Sequence, residues 1–406
     1  MDKKKLGLII IFIIITLILG YTMYRLFFYR AAQPQPEEPG VELPGGPGFP
    51  QAGEGEVTGP GAEEPGGLPT AGVIPEIEGP SIPEEEPTVS RVIDSIIDNS
   101  SAGTDGNVNF YSRQDGKFYR YDTETGIEEL SDQVFYNVSN VTWSPTKNEG
   151  IIEYPDGSNI YYNFDTKKQV TLPKHWQEFD FSENGNQIVS KSMGLSPENR
   201  WLITSDPEGN GVRTIEPLGE NASEVIVDWS PNRQVVALST TGEPLGGYRQ
   251  EVLFVGLNGE NFPSTIVEGQ GLQTEWSKDG SKLLYSVYSP RSEYKPELWV
   301  VNAQGNDIGT GRQSLNLNTW AEKCTFQDDR FVYCGVPTEL PVGSGFNADS
   351  VDNVNDYLYK IDTQTGLRTQ IELEGYHVID DIFMSKDGSQ LFFTDKTTDG
   401  LFSVDI

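Results

Sequence analysis

The sequence predicts an all-β fold, a β-propeller, and two patterns support this prediction. Aromatic and β-branched residues alternate with polar residues in short runs, which Gly-, Asp- and Asn-containing turns separate, as in β-hairpins. Within this region one motif recurs: an aromatic residue or Met, a polar turn, and then an apolar strand. It begins at Trp143, Phe181, Trp229, Trp276, Phe326 and Met384. The steps of 38, 48, 47, 50 and 58 residues match the period of roughly 40–50 residues that propeller blades show.

Seven blades are the expected number. Residues 92–406 number 315, which gives 45 residues for each of seven units, an ordinary blade length. Six units carry the motif, and the seventh is expected from strand-like runs at Asn107–Tyr111, Lys117–Asp122 and Ile127–Leu130. Six and eight blades stay open as alternatives. The last unit ends after three strands, at Leu401–Ile406, so we expect Val92–Ile97 to supply its fourth strand and close the ring.

The first 30 residues predict a membrane anchor. Met1–Lys5 is basic, and Leu6–Tyr24 is a nearly unbroken apolar run of 19 residues. A helix of that length spans roughly 28 Å, about the thickness of a bilayer core. A cleaved signal peptide is the alternative, but the run is long for one and no clear small-residue cleavage site follows. We therefore expect a single-pass signal anchor in the cell membrane, with a cytoplasmic N-terminus and an extracytoplasmic remainder.

Residues 31–90 predict a disordered linker between this anchor and the propeller domain, residues 91–406. The segment holds 13 of the protein's 26 prolines, twelve glycines and twelve glutamates, and it has no Lys, Arg or Asp. Such a composition buries too little apolar surface to fold. Its prolines and like charges favour an extended tether, which would hold a folded head away from the membrane.

A second repeat supports the propeller and points to a family. Tyr119–Gly126 and Tyr359–Gly366 are near copies, in which a strand leads into an Asp-Thr-x-Thr-Gly turn. Together with the Trp-Ser-x-Asp-Gly turn at Trp276–Gly280, this pattern resembles the WD-repeat-like units of TolB-type propellers. The resemblance covers roughly residues 107–406. It implies the propeller fold and a binding or scaffold role, which members of this family mostly have.

The charge and the cysteines limit the function classes. A formal net charge of −32 and a pI near 4.3 repel nucleic acid, so we expect no nucleic-acid partner. The two cysteines, Cys324 and Cys334, flank a predicted hairpin in which they face each other across the strands. Cross-strand spacing suits a disulfide, and an exported location favours one. Two reduced, buried thiols are the alternative.

The sequence carries no recognisable catalytic constellation. It has no Gly-x-Ser-x-Gly turn, and His175 and His377 are its only histidines. Few residues could therefore form a Ser-His-Asp site or a zinc site. Residues 347–356 are rich in Asn and Asp, but they lack the spacing of a calcium loop. We therefore expect no cofactor, no metal site and no enzymatic activity.

The predicted binding site lies in three long loops. Connections from the second to the third strand in consecutive blades span roughly residues 241–250, 289–296 and 336–356, and adjacent blades place them in one sector of one face. They carry aromatic and basic residues, of types enriched at binding hot spots: Tyr248, Arg249, Arg291, Tyr294, Lys295 and Phe346.

These features predict a membrane-tethered binding or scaffold module for another envelope protein or a glycan. The N-terminal helix would supply the contact with the membrane. The alternative is a hydrolase or lyase that acts on a glycan through carboxylates at the mouth of the central channel, although the sequence identifies no such pair.

Overall fold

The computed structural model describes residues 88–103 and 106–406, together with Thr16 and Leu19. Apart from Thr16 and Leu19, the predicted membrane helix lies outside the described residues, as does almost all of the predicted linker. No helix in the described part of the chain is long and apolar enough to cross a bilayer. The chain divides into two units after Glu78, and the strands lie in the second, Gly79–Ile406.

In the described ranges, 28 strands form seven four-stranded antiparallel sheets, the blades of a propeller, so the predicted fold and blade number are confirmed. Blade 1 contains β2 (Ile97–Ala102), β3 (Val108–Ser112), β4 (Lys117–Asp122) and β5 (Gly126–Glu129). Blade 2 contains β6 (Asn140–Trp143), β7 (Glu149–Glu153), β8 (Asn159–Asn163) and β9 (Lys168–Leu172). Blade 3 contains β10 (Trp176–Phe181), β11 (Ile188–Met193), β12 (Arg200–Ser205) and β13 (Arg213–Pro217).

The remaining blades have the same order of strands. Blade 4 contains β14 (Val225–Val227), β15 (Val235–Ser239), β16 (Gln250–Gly256) and β17 (Thr265–Val267). Blade 5 contains β18 (Gln270–Trp276), β19 (Lys282–Tyr288), β20 (Pro296–Asn302) and β21 (Gln313–Ser314). Blade 6 contains β22 (Cys324–Phe326), β23 (Phe331–Pro337), β24 (Asp356–Asp362) and β25 (Arg368–Ile371). Blade 7 contains β26 (Ile379–Met384), β27 (Gln390–Asp395), β28 (Leu401–Asp405) and β1 (Val89–Ile93).

Short 3-10 helices lie in the connections between these strands. They are Pro197–Asn199, Ala222–Glu224, Pro290–Ser292, Gly305–Asp307, Ala321–Lys323, Ser344–Phe346 and Ala348–Val351. The first strands of neighbouring blades lie next to one another, so they surround the centre of the ring.

The ring closes in blade 7, where β1 pairs antiparallel with β28 as the outermost strand. The prediction that N-terminal residues supply this strand is confirmed, but the predicted range, Val92–Ile97, is wrong. Of these residues only Val92 and Ile93 belong to β1, and Ile97 begins the first strand of blade 1. Residues 94–96 are needed as a connection, because the chain must cross from the outer edge of blade 7 to the centre of the ring.

The recurring motif forms the turn between the first and second strands of a blade. In blade 5 the Ser277 hydroxyl donates to Asp279 Oδ1 (2.9 Å) and accepts from the Lys282 amide (3.0 Å). Gly280 adopts a left-handed backbone with φ 70°. Blades 3, 4 and 7 repeat these side-chain bonds. Ser and Asp or Asn recur at a fixed spacing because their side chains hold the turn in shape.

The hydrophobic core lies between neighbouring blades. Between blades 1 and 2, Phe118 is fully buried, and its ring centroid lies 5.2 Å from Phe135, 5.6 Å from Trp143 and 5.1 Å from Phe164, all edge to face. Such pairs add about 0.5–1.5 kcal/mol each beyond the area that they bury. The motif residue Trp143 therefore joins two blades, which explains why a large apolar residue recurs at this position.

The cysteine hairpin is part of blade 6. Cys324 pairs with Cys334 and Phe326 with Val332, which is the register expected from the sequence. Both cysteine side chains are buried, and their Sγ atoms lie 2.15 Å apart as a disulfide.

Candidate functional site: an aromatic rim on three loops

The loops between the second and third strands are long in three consecutive blades. They span residues 240–249 in blade 4, 289–295 in blade 5 and 338–355 in blade 6, whereas the corresponding loop of blade 1 spans only 113–116. All of them leave the propeller on the face opposite the Ser-Asp turns, because successive strands of a blade are antiparallel.

Aromatic side chains from these loops form a cluster, which we call the rim. Tyr248 of blade 4 meets Tyr294 of blade 5 edge to face, with ring centroids 5.9 Å apart and hydroxyl oxygens 3.4 Å apart. The ring of Tyr294 lies 5.0 Å from Phe346 of blade 6, and Phe346 lies 4.7 Å from Tyr288. The structure thus brings together the predicted residues Tyr248, Tyr294 and Phe346. It adds Tyr288, which sequence reasoning missed because this residue ends a strand and is not part of a loop.

The rim remains accessible although its rings contact one another. Phe346 is 60% exposed and Tyr248 is 37% exposed. Burying exposed apolar surface contributes roughly 25 cal/mol per Å² of favourable free energy. A partner that covers these rings would therefore form a complex stabilised by their burial.

The backbone beneath the rim is strained at three residues. Tyr248, Glu293 and Tyr294 all adopt the left-handed region, with φ of 64°, 56° and 57°. A side chain other than Gly in this region costs on the order of 1–2 kcal/mol. Gly or Asn would occupy these positions at lower cost, so the two tyrosines are not there for the stability of the loops.

The loops of blades 5 and 6 hold each other in place. The Gly343 amide donates to the Glu293 carbonyl (3.0 Å), and the Gly345 amide donates to the Tyr294 carbonyl (2.8 Å). A Cβ atom at Gly345 would lie only 2.5 Å from the Cβ of Tyr288, so Gly is required for this close approach. These contacts fix the relative positions of Tyr294 and Phe346 before any partner binds.

Two of the predicted basic residues are neutralised by neighbouring carboxylates. Arg291 pairs with Glu268 and with Glu297, at 3.3 Å in each case. Lys295 pairs with Glu293 at 2.7 Å. The sequence shows the arginine and the lysine. It does not show that Glu268, 23 positions before Arg291 and outside its loop, pairs with it.

Arg249 is the predicted basic residue that keeps its charge available. It is exposed, and no hydrogen bond or ion pair of its guanidinium with the described residues is present. Together with Tyr248, Glu268, Ser289 and Arg291 it lines a cavity of about 260 Å³ beside the rim. An acidic group that enters this cavity would meet Arg249 first, since Arg291 is already paired.

The loop of residues 347–356, weighed above as a calcium loop, uses its carboxylates in other ways. Asp352 pairs with Lys396 at 3.0 Å, and Asp356 pairs with the buried Lys323 at 2.7 Å. Among the described residues, no group of three His, Cys, Asp or Glu side chains is placed to hold a metal ion.

Three carboxyl groups cluster at the innermost strands of blades 3, 4 and 5. Burial raises the pKa of Asp180 to about 7, of Asp228 to about 6 and of Glu275 to about 8. Asp228 accepts hydrogen bonds from the Thr274 hydroxyl (2.6 Å) and from the Trp276 indole (2.7 Å) of the next blade. The negative charge of Asp228 further raises the pKa of the other two groups.

The two histidines take no part in a recognisable catalytic arrangement. His175 is exposed. His377 is buried, with its ring 5.2 Å from Phe393 and 4.9 Å from Phe402. Its Nδ1 lies 2.8 Å from Asp395 Oδ2, so its contacts are those of a core residue in blade 7.

No protein-family model matches the chain, and no curated protein matches its sequence. Solved structures match its fold. Oligogalacturonate lyase in complex with manganese superposes with a TM-score of 0.52 at 13% identity, over 78% of this chain and 93% of the lyase. The propeller domain of Cps50 (Swd1) from Myceliophteria thermophila gives a TM-score of 0.49 at 12% identity, over 78% of this chain and 98% of that domain.

The tricorn protease also gives a TM-score of 0.49 at 12% identity, over 79% of this chain, which spans 34% of the length of the tricorn chain. At such low identities a structural likeness shows the fold alone. The likeness to the lyase agrees with the seven four-stranded sheets of this chain, which form a β-propeller.

Proposed function

We propose that this chain is a membrane-tethered, extracytoplasmic propeller of the TolB type that binds another envelope protein through the rim. The observation that carries the proposal is the contact among Tyr248, Tyr294 and Phe346. Three separate loops bring exposed rings to one place, and the backbone is strained at both tyrosines. Clustered, accessible aromatic residues are typical of binding surfaces, whereas loop stability would favour other residues at these positions.

The sequence and the topology of the propeller support the tether. The basic residues Met1–Lys5, the apolar run Leu6–Tyr24 and the acidic linker form the pattern of an anchored head on a spacer. The chain enters the propeller at Val89, which pairs with Val404 near the Ser-Asp turn of blade 7. The rim loops leave on the opposite face.

Photo-crosslinking in native membranes tests the binding role. A benzophenone-bearing amino acid replaces Phe346, and in a matched control it replaces Tyr136, which is 73% exposed between blades 1 and 2. A discrete crosslinked envelope protein from position 346 alone is the expected result. Equal crosslinking from both positions, or none from position 346, would overturn the proposal.

A titration with the captured partner then measures the contribution of the rim. Arg249→Ala combined with Tyr294→Ala is expected to weaken binding by about 2 kcal/mol or more, with an almost unchanged melting temperature. Unchanged affinity would place the binding site elsewhere on the propeller. An equal loss of affinity and stability would assign the loops a structural role.

Protease treatment tests the topology. Protease added to intact cells is expected to cut within residues 31–90 and to release a soluble acidic fragment. Protection until an outer layer is opened would place the head in a periplasm. Protection in intact and opened cells alike would remove the extracytoplasmic tether from the proposal.

A second candidate function is chemistry on a glycan by carboxyl groups at the channel. The observation that favours it is that hydrogen bonds join these groups across blades 3, 4 and 5. The Trp229 amide donates to Asp180 (2.6 Å), and Asp228 accepts from Thr274 and Trp276. Burial raises the pKa of Asp180, Asp228 and Glu275. One protonated and one ionised carboxyl group are the requirement of acid–base chemistry at a glycosidic bond. Turnover on a glycan panel that Asp180→Asn and Glu275→Gln both abolish would favour this function, and no turnover would exclude it for that panel.

A further inference from the structure

We infer that the rim binds a proline-containing peptide segment that carries a carboxylate close to its prolines. This inference rests on the proposed function, because it names the class of partner that the same surface would take. It follows from the angles between the rings, the distribution of charge beside them and the rigidity of the loops.

The rings of the rim are tilted against one another and do not form one flat platform. The interplanar angles are 67° between Tyr248 and Tyr294, 33° between Tyr294 and Phe346, and 59° between Phe346 and Tyr288. A sugar ring stacks best on one broad, flat aromatic face. Tilted rings instead present both edges and faces to solvent, and polyproline II segments dock on aromatic-lined surfaces. The shape therefore favours a peptide over a glycan.

The tyrosine hydroxyls suit the backbone of such a segment. The hydroxyl oxygens of Tyr248 and Tyr294 lie 3.4 Å apart, so one hydroxyl can donate to the other while the second hydroxyl donates outward. A polyproline II segment has no internal hydrogen bonds, and its carbonyl groups are free to accept. The outward hydroxyl can therefore bond a peptide carbonyl without breaking a bond inside the partner.

The charges around the rim select a single carboxylate and disfavour a polyanion. The guanidinium of Arg249, at the edge of the cavity, has no partner among the described residues, whereas Arg291 pairs with Glu268 and Glu297. From position 91 onward the chain has 24 basic and 48 acidic residues. This negative field repels long anionic polymers, but one carboxylate beside Arg249 gains a local, charge-assisted hydrogen bond.

The rigidity of the loops fits a partner that is itself stiff. Backbone bonds join Gly343 to Glu293 and Gly345 to Tyr294, so the surface loses little entropy on binding. A proline-rich segment is extended before it binds and also loses little freedom. Because both surfaces are ordered before they bind, little conformational entropy is lost and a small contact area is enough for binding.

Fluorescence anisotropy with the full chain and short labelled peptides tests the inference. The first peptide has prolines around a single glutamate. In the second peptide lysine replaces the glutamate, and in the third alanines replace the prolines. We expect binding of the first peptide alone, with each replacement weakening it by about tenfold or more.

Variants of the protein localise the binding. Arg249→Ala and Tyr294→Ala are each expected to lower the affinity for the first peptide by about tenfold or more. Arg233→Ala is the matched control, because Arg233 is also exposed but lies in the turn of blade 4 on the opposite face. This control is expected to bind like the wild type.

The outcomes separate this inference from the proposed function. Equal binding of all three peptides, or equal loss with Arg233→Ala, would overturn the inference. If the first peptide does not bind while position 346 still crosslinks a partner protein, the rim is a protein-binding site but the partner class is wrong. A neutral or acidic oligosaccharide is tested in the same way. If it binds, if Tyr294→Ala abolishes this binding and if the peptide does not bind, the inferred peptide ligand is wrong and the rim binds a glycan.

Discussion

Tyr248 and Tyr294 come from different blades, both have left-handed backbones with φ of 64° and 57°, and their rings meet edge to face 5.9 Å apart. The backbone at each position would be more stable with Gly or Asn. The rings nevertheless lie on the surface and contact each other. Stability and side-chain chemistry therefore favour different residues at the same two positions, as is common where a surface is kept for binding.

Replacing Tyr248 separates these two effects. Tyr248→Gly removes the ring and the strain, whereas Tyr248→Ala removes the ring and keeps the strain. We expect the Gly variant to be more stable than the Ala variant by about 1 kcal/mol, as measured by chemical denaturation. Both variants are expected to lose affinity equally in the peptide titration. A Gly variant that is less stable than the Ala variant would show that the left-handed backbone at Tyr248 stores no strain.

The pair Cys324 and Cys334 closes a short loop. Peptide mapping by mass spectrometry without reduction is expected to show the two cysteines linked in exported protein. Cys324→Ala combined with Cys334→Ala is expected to lower the free energy of unfolding by about 2–3 kcal/mol. Wild-type protein in excess reductant should lose a similar amount. Alkylation of both thiols in exported, denatured protein would rule out the linkage.

Glu275 is expected to make the stability of the propeller fall as the pH rises. Because burial raises its pKa in the folded state to about 8, the folded protein binds this proton more tightly than the unfolded chain. Stability from this group is therefore greatest at low pH and falls as the pH rises from about 5 to 8. Glu275→Gln should match the stability of the wild type at pH 5 and exceed it at pH 9.

Thermal melts between pH 5 and 9 measure this difference, and Glu220→Gln is the control. Glu220 is exposed, so its replacement should leave the pH profile unchanged. Identical profiles of the wild type and Glu275→Gln would show that water reaches Glu275 and screens its charge.

Lys323 and Asp356 form a buried ion pair, with Nζ 2.7 Å from Oδ2. Lys323→Met leaves the carboxylate without its counterion and is expected to cost about 3–5 kcal/mol of stability. Adding Asp356→Asn should recover much of this loss, because the amide oxygen can still accept from the Ile379 amide, which lies 2.7 Å from Asp356 Oδ2 in the wild type.

An exposed ion pair provides the control for this experiment. Lys174 pairs with Asp156 at 3.0 Å, and the two side chains are 64% and 65% exposed. Lys174→Met should leave the free energy of unfolding almost unchanged. Both losses in the free energy of unfolding are measured by urea denaturation. Similar losses from the two lysine replacements would show that burial of the ion pair does not determine the loss.

The strands and the blade number could be predicted because the signals that specify them are local. A first-to-second-strand turn is encoded within a few residues, since Ser277 and Asp279 bond the backbone of their own turn. Alternating apolar residues place each strand in its sheet, and repetition of the unit sets the number of blades. The three long loops were predictable for the same reason, because their lengths follow from the spacing of these turns.

The contacts that make the site depend on partners far apart in the sequence. Tyr248 and Tyr294 are 46 positions apart, and only the packing of adjacent blades determines that their rings meet. The same packing pairs Arg291 with Glu268, whereas Arg249 has no partner in the part of the chain that the structure describes. The type of a residue indicates whether its side chain can bind a partner. The packing of side chains from different blades determines which of these residues remain available for binding.

The closing strand shows the same division between local and distant interactions. Residues 92–97 carry a local strand pattern, yet β1 is Val89–Ile93 because Val89 pairs with Val404 at the other end of the chain. The pKa values of Asp180, Asp228 and Glu275 also depend on burial beside neighbouring blades. Short-range hydrogen bonds and periodicity are encoded in neighbouring residues, whereas register, charge pairing and burial arise only when the blades pack into a ring.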